Sequence, residues 1–186
     1  VAKAPPDGHT LVMAAINNFG ANPALYPTIP YDPVADFVGV INLIATTNVV
    51  VVRADSPYRT LGDLLDDARA RPGKLSYGSA GAGSSMFLFM ELLKSQTRAQ
   101  ITHVPYKGSA PALTDLMAGV IDVVFDALPA AAPYLRGGRL RGLAVSSRQR
   151  SPFDRTIPTV AEAGVPGFDQ ESWIGLCAPA RTPAAV

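Results

Sequence analysis

Cysteine is almost missing from this chain, and two classes of chemistry go with it. Cys177 alone permits no internal disulfide and no multi-cysteine metal site, and the two histidines, His9 and His103, stand far apart in sequence. No metal and no cofactor is expected, and Cys177, behind an apolar run, reads as a buried, inert thiol. This cysteine usage fits a cytosolic protein and a disulfide-free periplasmic one equally. An excess of charge of one sign is also lacking. The formal net charge is +1, and Arg53, Lys74, Arg98, Lys107, Arg136, Arg139 and Arg141 are spread along the chain, which argues against nucleic acid as a partner. Nor does any apolar run reach the roughly 18 residues of a membrane span. The longest, 38–52, is interrupted by Asn42, Thr46, Thr47 and Asn48. No internal repeat is visible, and the only low-complexity tract is the alanines at 130–132. No basic segment followed by an apolar core marks a signal peptide, and the chain starts at Val1 inside what reads as folded sequence, so a fragment or a processed chain is expected. What remains is 186 residues, 48% hydrophobic, enough for one large or two small domains with a substantial core.

The most informative stretch is 77–85, Tyr-Gly-Ser-Ala-Gly-Ala-Gly-Ser-Ser, which leads from a short apolar strand signal into the amphipathic helix pattern 86–94. Glycines there permit positive φ and close approach of backbone to a ligand, while Ser84, Ser85 and the first amides of the helix offer donors. Such a loop is an anion cradle, suited to a carboxylate or a phosphate. It stops short of a nucleotide loop, because Ser84 stands where that motif needs lysine. It also fails the dinucleotide fingerprint, since Gly81-Ala82-Gly83 is followed by Ser84, Ser85 and Met86, and no Gly-x-Ser-x-Gly elbow occurs. The competing reading is a plain helix-capping turn that holds no ligand.

Along the chain, His9 to Ala15, Phe37 to Ala45 and Asn48 to Arg53 read as strands, and Asn17, Asn18 and Gly20 form a polar loop behind the first. Leu61, Leu64, Leu65 and Ala68 recur at helical spacing until Pro72-Gly73, and Leu75 to Ser79 is the strand feeding the glycine loop. Strand and helix then alternate: 101–104, 110–118, 120–125, 130–136 and 140–146, with a last strand at 172–178. That alternation predicts an α/β fold with a mainly parallel sheet. Ligands of such sheets bind beyond the carboxyl ends of strands, where the glycine loop, Tyr106-Lys107-Gly108 and Asp126 all fall.

Taken in order, the motifs resemble the tripartite tricarboxylate transporter substrate-binding proteins, the TctC or Bug family of bacterial periplasmic receptors. The likeness rests on Pro6-Asp7-Gly8-His9-Thr10-Leu11, Asn22-Pro23 with Leu25-Tyr26, Tyr31-Asp32-Pro33 with Asp36-Phe37, and the 78–85 loop. It continues in Val104-Pro105-Tyr106-Lys107-Gly108, Asp115-Leu116 with Gly119 and Asp122, Gly138 to Ser146 with Arg150, Ile157-Pro158-Thr159, and Trp173 with Gly175 and Ala178-Pro179. The resemblance implies a type II periplasmic-binding-protein fold, two α/β lobes with a ligand cleft between them. The lobes are expected at 1–54 and 146–186 for the first, incomplete here, and 55–145 for the inserted second. It further implies a non-catalytic, periplasmic receptor that captures a small carboxylate, closes on it and delivers it to the permease subunits of a tripartite membrane transporter.

By the same resemblance, Ser79, Gly81, Ala82, Gly83, Ser84 and Ser85 hold the distal part of the ligand, and Ala15, Ile16, Asn17 and Asn18 contribute to its proximal carboxylate, partly through water. Tyr106 and Asp126 line the cleft. Phe87 departs from the family, most members of which carry histidine there. Plainer readings stand beside these: Tyr106 as a core tyrosine with a locally satisfied hydroxyl, Asp126 as a helix cap, Lys107 as a solvated lysine, Asp115 and Asp122 in solvent-facing or turn roles, Trp173 as packing. Two other functions are kept in view. One is a ligand-sensing subunit for a membrane signalling partner; the other is a hydrolase using Ser84 or Ser85, which lacks a base because His9 and His103 are assigned to strand starts.

Overall fold

The computed structural model describes residues 1–185, which gather into two compact units: Thr46–Glu171, and Val1–Ala45 with the residues from Ser172 on. In the larger unit the second half of β2 (Phe37–Arg53) joins β3 (Leu75–Ser79), β4 (Ile101–Pro105), β5 (Val123–Ala127) and β6 (Leu140–Val145) in the spatial order β4-β3-β5-β2-β6. β3 is parallel to both β4 and β5, with Leu75 opposite Ile101 and Tyr77 opposite Val123. β2 is antiparallel to β5 and to β6, with Asn48 opposite Ala127 and Val49 opposite Val145. β3 to β6 therefore share one direction, and β2 is a single reversed strand let in between β5 and β6. The mainly parallel α/β sheet expected from the alternation of elements is present.

The helices of this unit follow from local sequence. α2 (Leu61–Ala70) opens with a reciprocal cap, Thr60 Oγ1 accepting from the Asp63 amide at 3.1 Å and the Asp63 carboxylate accepting from the Thr60 amide at 2.9 Å. In α3 (Ser85–Thr97), Met86, Phe89, Met90 and Leu93 fall on one face and are buried. α4 (Ser109–Ala118) stops at Gly119 in the left-handed conformation, φ 76°, and α5 (Leu128–Arg136) follows β5 with no intervening loop. Against these helices, Val49 to Val52 and Val123 to Phe125 are fully buried, so both faces of β2 and β5 are covered here. Each such side chain contributes about 1.5–3 kcal/mol. The Arg141 guanidinium donates to the carbonyls of Ala54, Ser56 and Tyr58, tying the β2–α2 connection to β6.

In the smaller unit β1 (Val12–Ala15) is antiparallel to β7 (Glu171–Pro179), with Val12 opposite Cys177. β7 in turn lies so close to the first half of β2 that a Cβ on Gly175 would sit 2.8 Å from the carbonyl oxygen of Ile41. Behind β1 the chain makes a π-helical turn, Ile16–Ala21, that runs into α1 (Asn22–Leu25), and Phe19, Tyr31 and Phe37 pack their rings together.

Several expectations change. The two strands expected at 37–45 and 48–53 are one strand of 17 residues, because Thr46, Thr47 and Asn48 stay extended with Thr47 bonded to Ser146. The first strand is shorter than expected and the polar loop at Asn17, Asn18 and Gly20 is helical. Cys177 is half-buried, although burial does push its thiol up. The compact units are bounded at 45/46 and 171/172. Residues 48–53 pair with β5 and β6, and the segment after Val145 stays on β6, Val145 bonding to Pro158 at 2.8 Å and Ser146 to Gln170 at 2.8 Å.

Candidate functional site

Because β3, β4 and β5 are adjacent and parallel, α3, α4 and α5 all start at the same edge of the sheet. Each helix N-terminus carries about half a positive charge and unpaired amides. β2 runs the other way, so Asn48 arrives at that edge opposite Ala127. The site is thus an array of N–H dipoles, and Lys107, which follows β4 at that edge, is exposed.

The glycine loop joins β3 to α3. Gly78 is glycine for packing, since a Cβ there would lie 2.6 Å from the Ile121 side chain. Gly81 and Gly83 hold φ of 100° and 84°, which a side chain rarely permits. Ser84 caps α3, accepting from the Phe87 amide at 3.3 Å and donating to the Gly81 carbonyl at 2.7 Å. Ser79 is fully buried; its hydroxyl accepts from the Gly81 amide at 3.0 Å and pairs with His103 Nε2 at 2.7 Å. These bonds are internal and shape the loop. Of the other residues in the loop and the first turn of α3, Ala82 is exposed, Ser85 is half-buried, and Gly83 and Met86 are buried.

Asn48 is the residue that sequence reasoning missed. It is fully buried, and its side-chain amide donates to the Phe125 carbonyl at 3.2 Å and towards Ser85 Oγ at 3.4 Å. Its backbone is locked to β6, the Asn48 amide donating to Ser146 Oγ and the Ser146 amide to the Asn48 carbonyl, both at 2.8 Å. The signal was the polar break in the apolar run 38–52, which served only to exclude a membrane span.

Tyr106 has its hydroxyl on Asp115 Oδ2 at 2.8 Å, and burial together with that carboxylate pushes it up to about 12. Its plainer reading therefore describes its hydroxyl, and Asp115 faces this partner rather than solvent alone. Asp126 is buried and accepts from the Ser109 hydroxyl at the start of α4 and from the Ala127 amide at 2.7 Å. Burial raises its carboxyl above the ordinary range, against the pull of those two bonds. It links the beginnings of α4 and α5. Asp122 takes the amide and hydroxyl of Ser76, at 2.8 and 2.9 Å, in a turn role.

Ala15 to Asn18 belong to the smaller unit, while all the other expected site residues belong to the larger. Asn18 Oδ1 accepts from the Ala15 amide at 2.7 Å, its Nδ2 donates to the Met13 carbonyl at 2.8 Å, and Tyr31 donates to its carbonyl, so its side chain fixes the turn. Asn17 is exposed. For the hydrolase alternative, Ser84 is committed to its cap. His103 is not at a strand start but in the middle of β4, and it reaches Ser79, a serine with no access to solvent. Among the described residues no cluster of His, Cys, Asp and Glu is arranged to hold a metal ion, and no helix is long and apolar enough to cross a membrane.

Comparison with known proteins completes the description. The sequence profile of the family described as "Tripartite tricarboxylate transporter family receptor" matches residues 1–186. A Pseudomonas sp. (strain P51) protein, the "UPF0065 protein in tcbD-tcbE intergenic region", is 43% identical over 189 residues, covering 100% of this chain and 55% of its own length. Among solved structures, "R. palustris Rpa4515 with adipate" superposes with a TM-score of 0.92 at 42% identity, over 100% of this chain and 62% of that one. "MatC (Rpa3494) from Rhodopseudomonas palustris with bound malate" gives 0.89 at 34%, over 100% and 63%. The chain thus spans a little over half the length of that curated relative and under two thirds of these solved structures.

Proposed function

Since the chain belongs to the tripartite tricarboxylate transporter receptor family, we propose that it forms part of a periplasmic receptor that captures a small carboxylate and delivers it to a membrane transporter, without chemistry of its own. The observation that carries this reading is the convergence of three helix N-termini and a glycine–serine loop on one sheet edge. A carboxylate met by amides and hydroxyls gains charge-assisted hydrogen bonds of about 1.5–3 kcal/mol each. A loop with Ser84 where a nucleotide loop has lysine favours a carboxylate over a polyphosphate. Relatives named with adipate and with malate fit that chemistry. The donors assigned to the ligand are the amides of Ala82, Gly83, Ser85 and Met86 and the hydroxyl of Ser85. Ser79, Ser84, Tyr106 and Asp126 hold the donors in place.

Thermal melting of the full-length protein with adipate, malate and a panel of other mono-, di- and tricarboxylates tests the reading. A ligand at one hundred times its Kd stabilises a folded receptor by about 2.7 kcal/mol. A rise in Tm with one or more acids, reduced in Ser85→Ala, is the expected result. A folded protein whose Tm is moved by none of them sinks the proposal.

A further inference from the structure

Ser79, fully buried, and His103, half-buried, make a pair that the capture of an anion does not directly use. A hydroxyl has one hydrogen and two lone pairs. The Gly81 amide occupies one lone pair of Ser79 Oγ at 3.0 Å, and His103 Nε2 lies at 2.7 Å, a donor or an acceptor according to the tautomer of the ring. Ser79 is fully buried, so no solvent is at hand to take the hydroxyl hydrogen instead. The imidazole has little freedom to turn away. Tyr77 of β3 stacks on it at a centroid distance of 4.9 Å and 27°, and Phe87 of α3 packs against it at 4.9 Å. Tyr77 is itself fixed, its hydroxyl donating to Glu91 at 2.6 Å, where Lys94 also donates at 2.6 Å while lying 5.2 Å above the Tyr77 ring.

We infer that His103 is a positioning residue for the anion loop: in its Nδ1–H tautomer it takes the hydrogen of Ser79, which turns the serine oxygen into the acceptor that holds Gly81 in its left-handed turn before any ligand arrives. A loop set in advance spends less binding energy on ordering itself. Burial keeps the ring below the usual histidine range, with Glu91 pulling up and Lys94 pushing down, in keeping with a neutral acceptor. Tyr77 on β3 and Glu91 and Lys94 on α3 are the titratable groups that face it. Phe87, the departure from the family pattern, acts here as one wall of the histidine's slot.

The consequence for affinity rests on the proposed carboxylate site, but the first part of the test does not. In the full-length protein without ligand, nitrogen NMR should show the His103 ring protonated at Nδ1 at neutral pH. Exchange of the Gly81 amide should speed up about tenfold, the worth of one neutral hydrogen bond, in Ser79→Ala and equally in His103→Phe. The phenylalanine retains the stack and loses only the acceptor. His103→Gln, whose amide oxygen reaches the place of Nε2, should restore slow exchange. A ring protonated at Nε2, or Gly81 exchange unaltered in His103→Phe, overturns the inference. With adipate and malate as probes, His103→Phe should weaken binding about tenfold and His103→Gln should not; undiminished binding on a loosened loop also counts against it. If no acid of the carboxylate panel binds wild type while the Gly81 results hold, it is the receptor reading that falls.

Discussion

The two halves of β2 are alike in sequence and opposite in surroundings. In the first half Val38, Val40, Ile41, Leu43 and Ile44 are between 42% and 57% exposed, whereas Val49 to Val52 in the second are at 0%. Both halves are runs of β-branched and aliphatic residues, and nothing in their composition separates them. An apolar run reports that a segment can be buried; partners from elsewhere in the chain decide whether it is. β5, β6 and the helices supply them to the second half. The first half has β7 beside it, and its exposed side chains alternate between the two faces of the strand.

The most severe way to probe that contrast is to place a charge in each half. Val50→Asp puts an unpaired carboxylate where no water reaches and should cost about 4 kcal/mol or more, enough to leave much of the protein unfolded. Val40→Asp should stay within about 0.5 kcal/mol. Urea midpoints of the two variants read this directly, and equal losses would mean that the first half is as covered as the second. A milder pair uses glycine. A Cβ at Gly78 in β3 collides with Ile121 at 2.6 Å, while at Gly39 in β2 nothing lies within 4 Å. Gly78→Ala should lose about 1–3 kcal/mol by overpacking, and Gly39→Ala should be neutral or better by up to about 1 kcal/mol.

The smallest effect distinguishes two acids. Asp126, buried in the larger unit, has its carboxyl raised by burial; Asp32, exposed in the smaller, has its carboxyl lowered by the amides of Ala35 and Val34. A raised folded value means that ionisation works against the fold, so Asp126 contributes stability that is lost as pH rises through that value. Asp126→Asn should therefore raise Tm at pH 7, with the gain fading as pH falls towards the ordinary carboxylate range near ~4. For Asp32 the sign reverses: its stabilisation is present above that range and is lost on acidification, so Asp32→Asn should lower Tm at pH 7 and matter least in acid. Melting curves from pH 4 to 7 separate the two.

What could be read from sequence was what is local. The glycine loop, its serines and the helix behind it lie within some twenty residues, and φ, cap and dipole follow from that order alone. The strand–helix alternation likewise yielded β3 to β6 and the edge at which the loops collect. What escaped depended on distant partners. Asn48 gains its role from Phe125 and Ser85, and Ser79 from a histidine 24 residues on. Asn18 reads as a polar loop residue until its amide is seen closing on Met13 and Ala15. Continuity of β2 through Thr46 to Asn48 was hidden for the same reason, since the hydroxyl that satisfies Thr47 comes from Ser146.

Gly175 carries a consequence for how this sequence can drift. With the carbonyl oxygen of Ile41 at 2.8 Å from the place of a Cβ, the obstacle is main chain and cannot rotate aside as a side chain would. The alphabet at position 175 has shrunk to one letter. Every amino-acid replacement that a single base change in a glycine codon could produce is closed there unless two strands move apart, so the residue with no side chain holds the narrowest licence to vary.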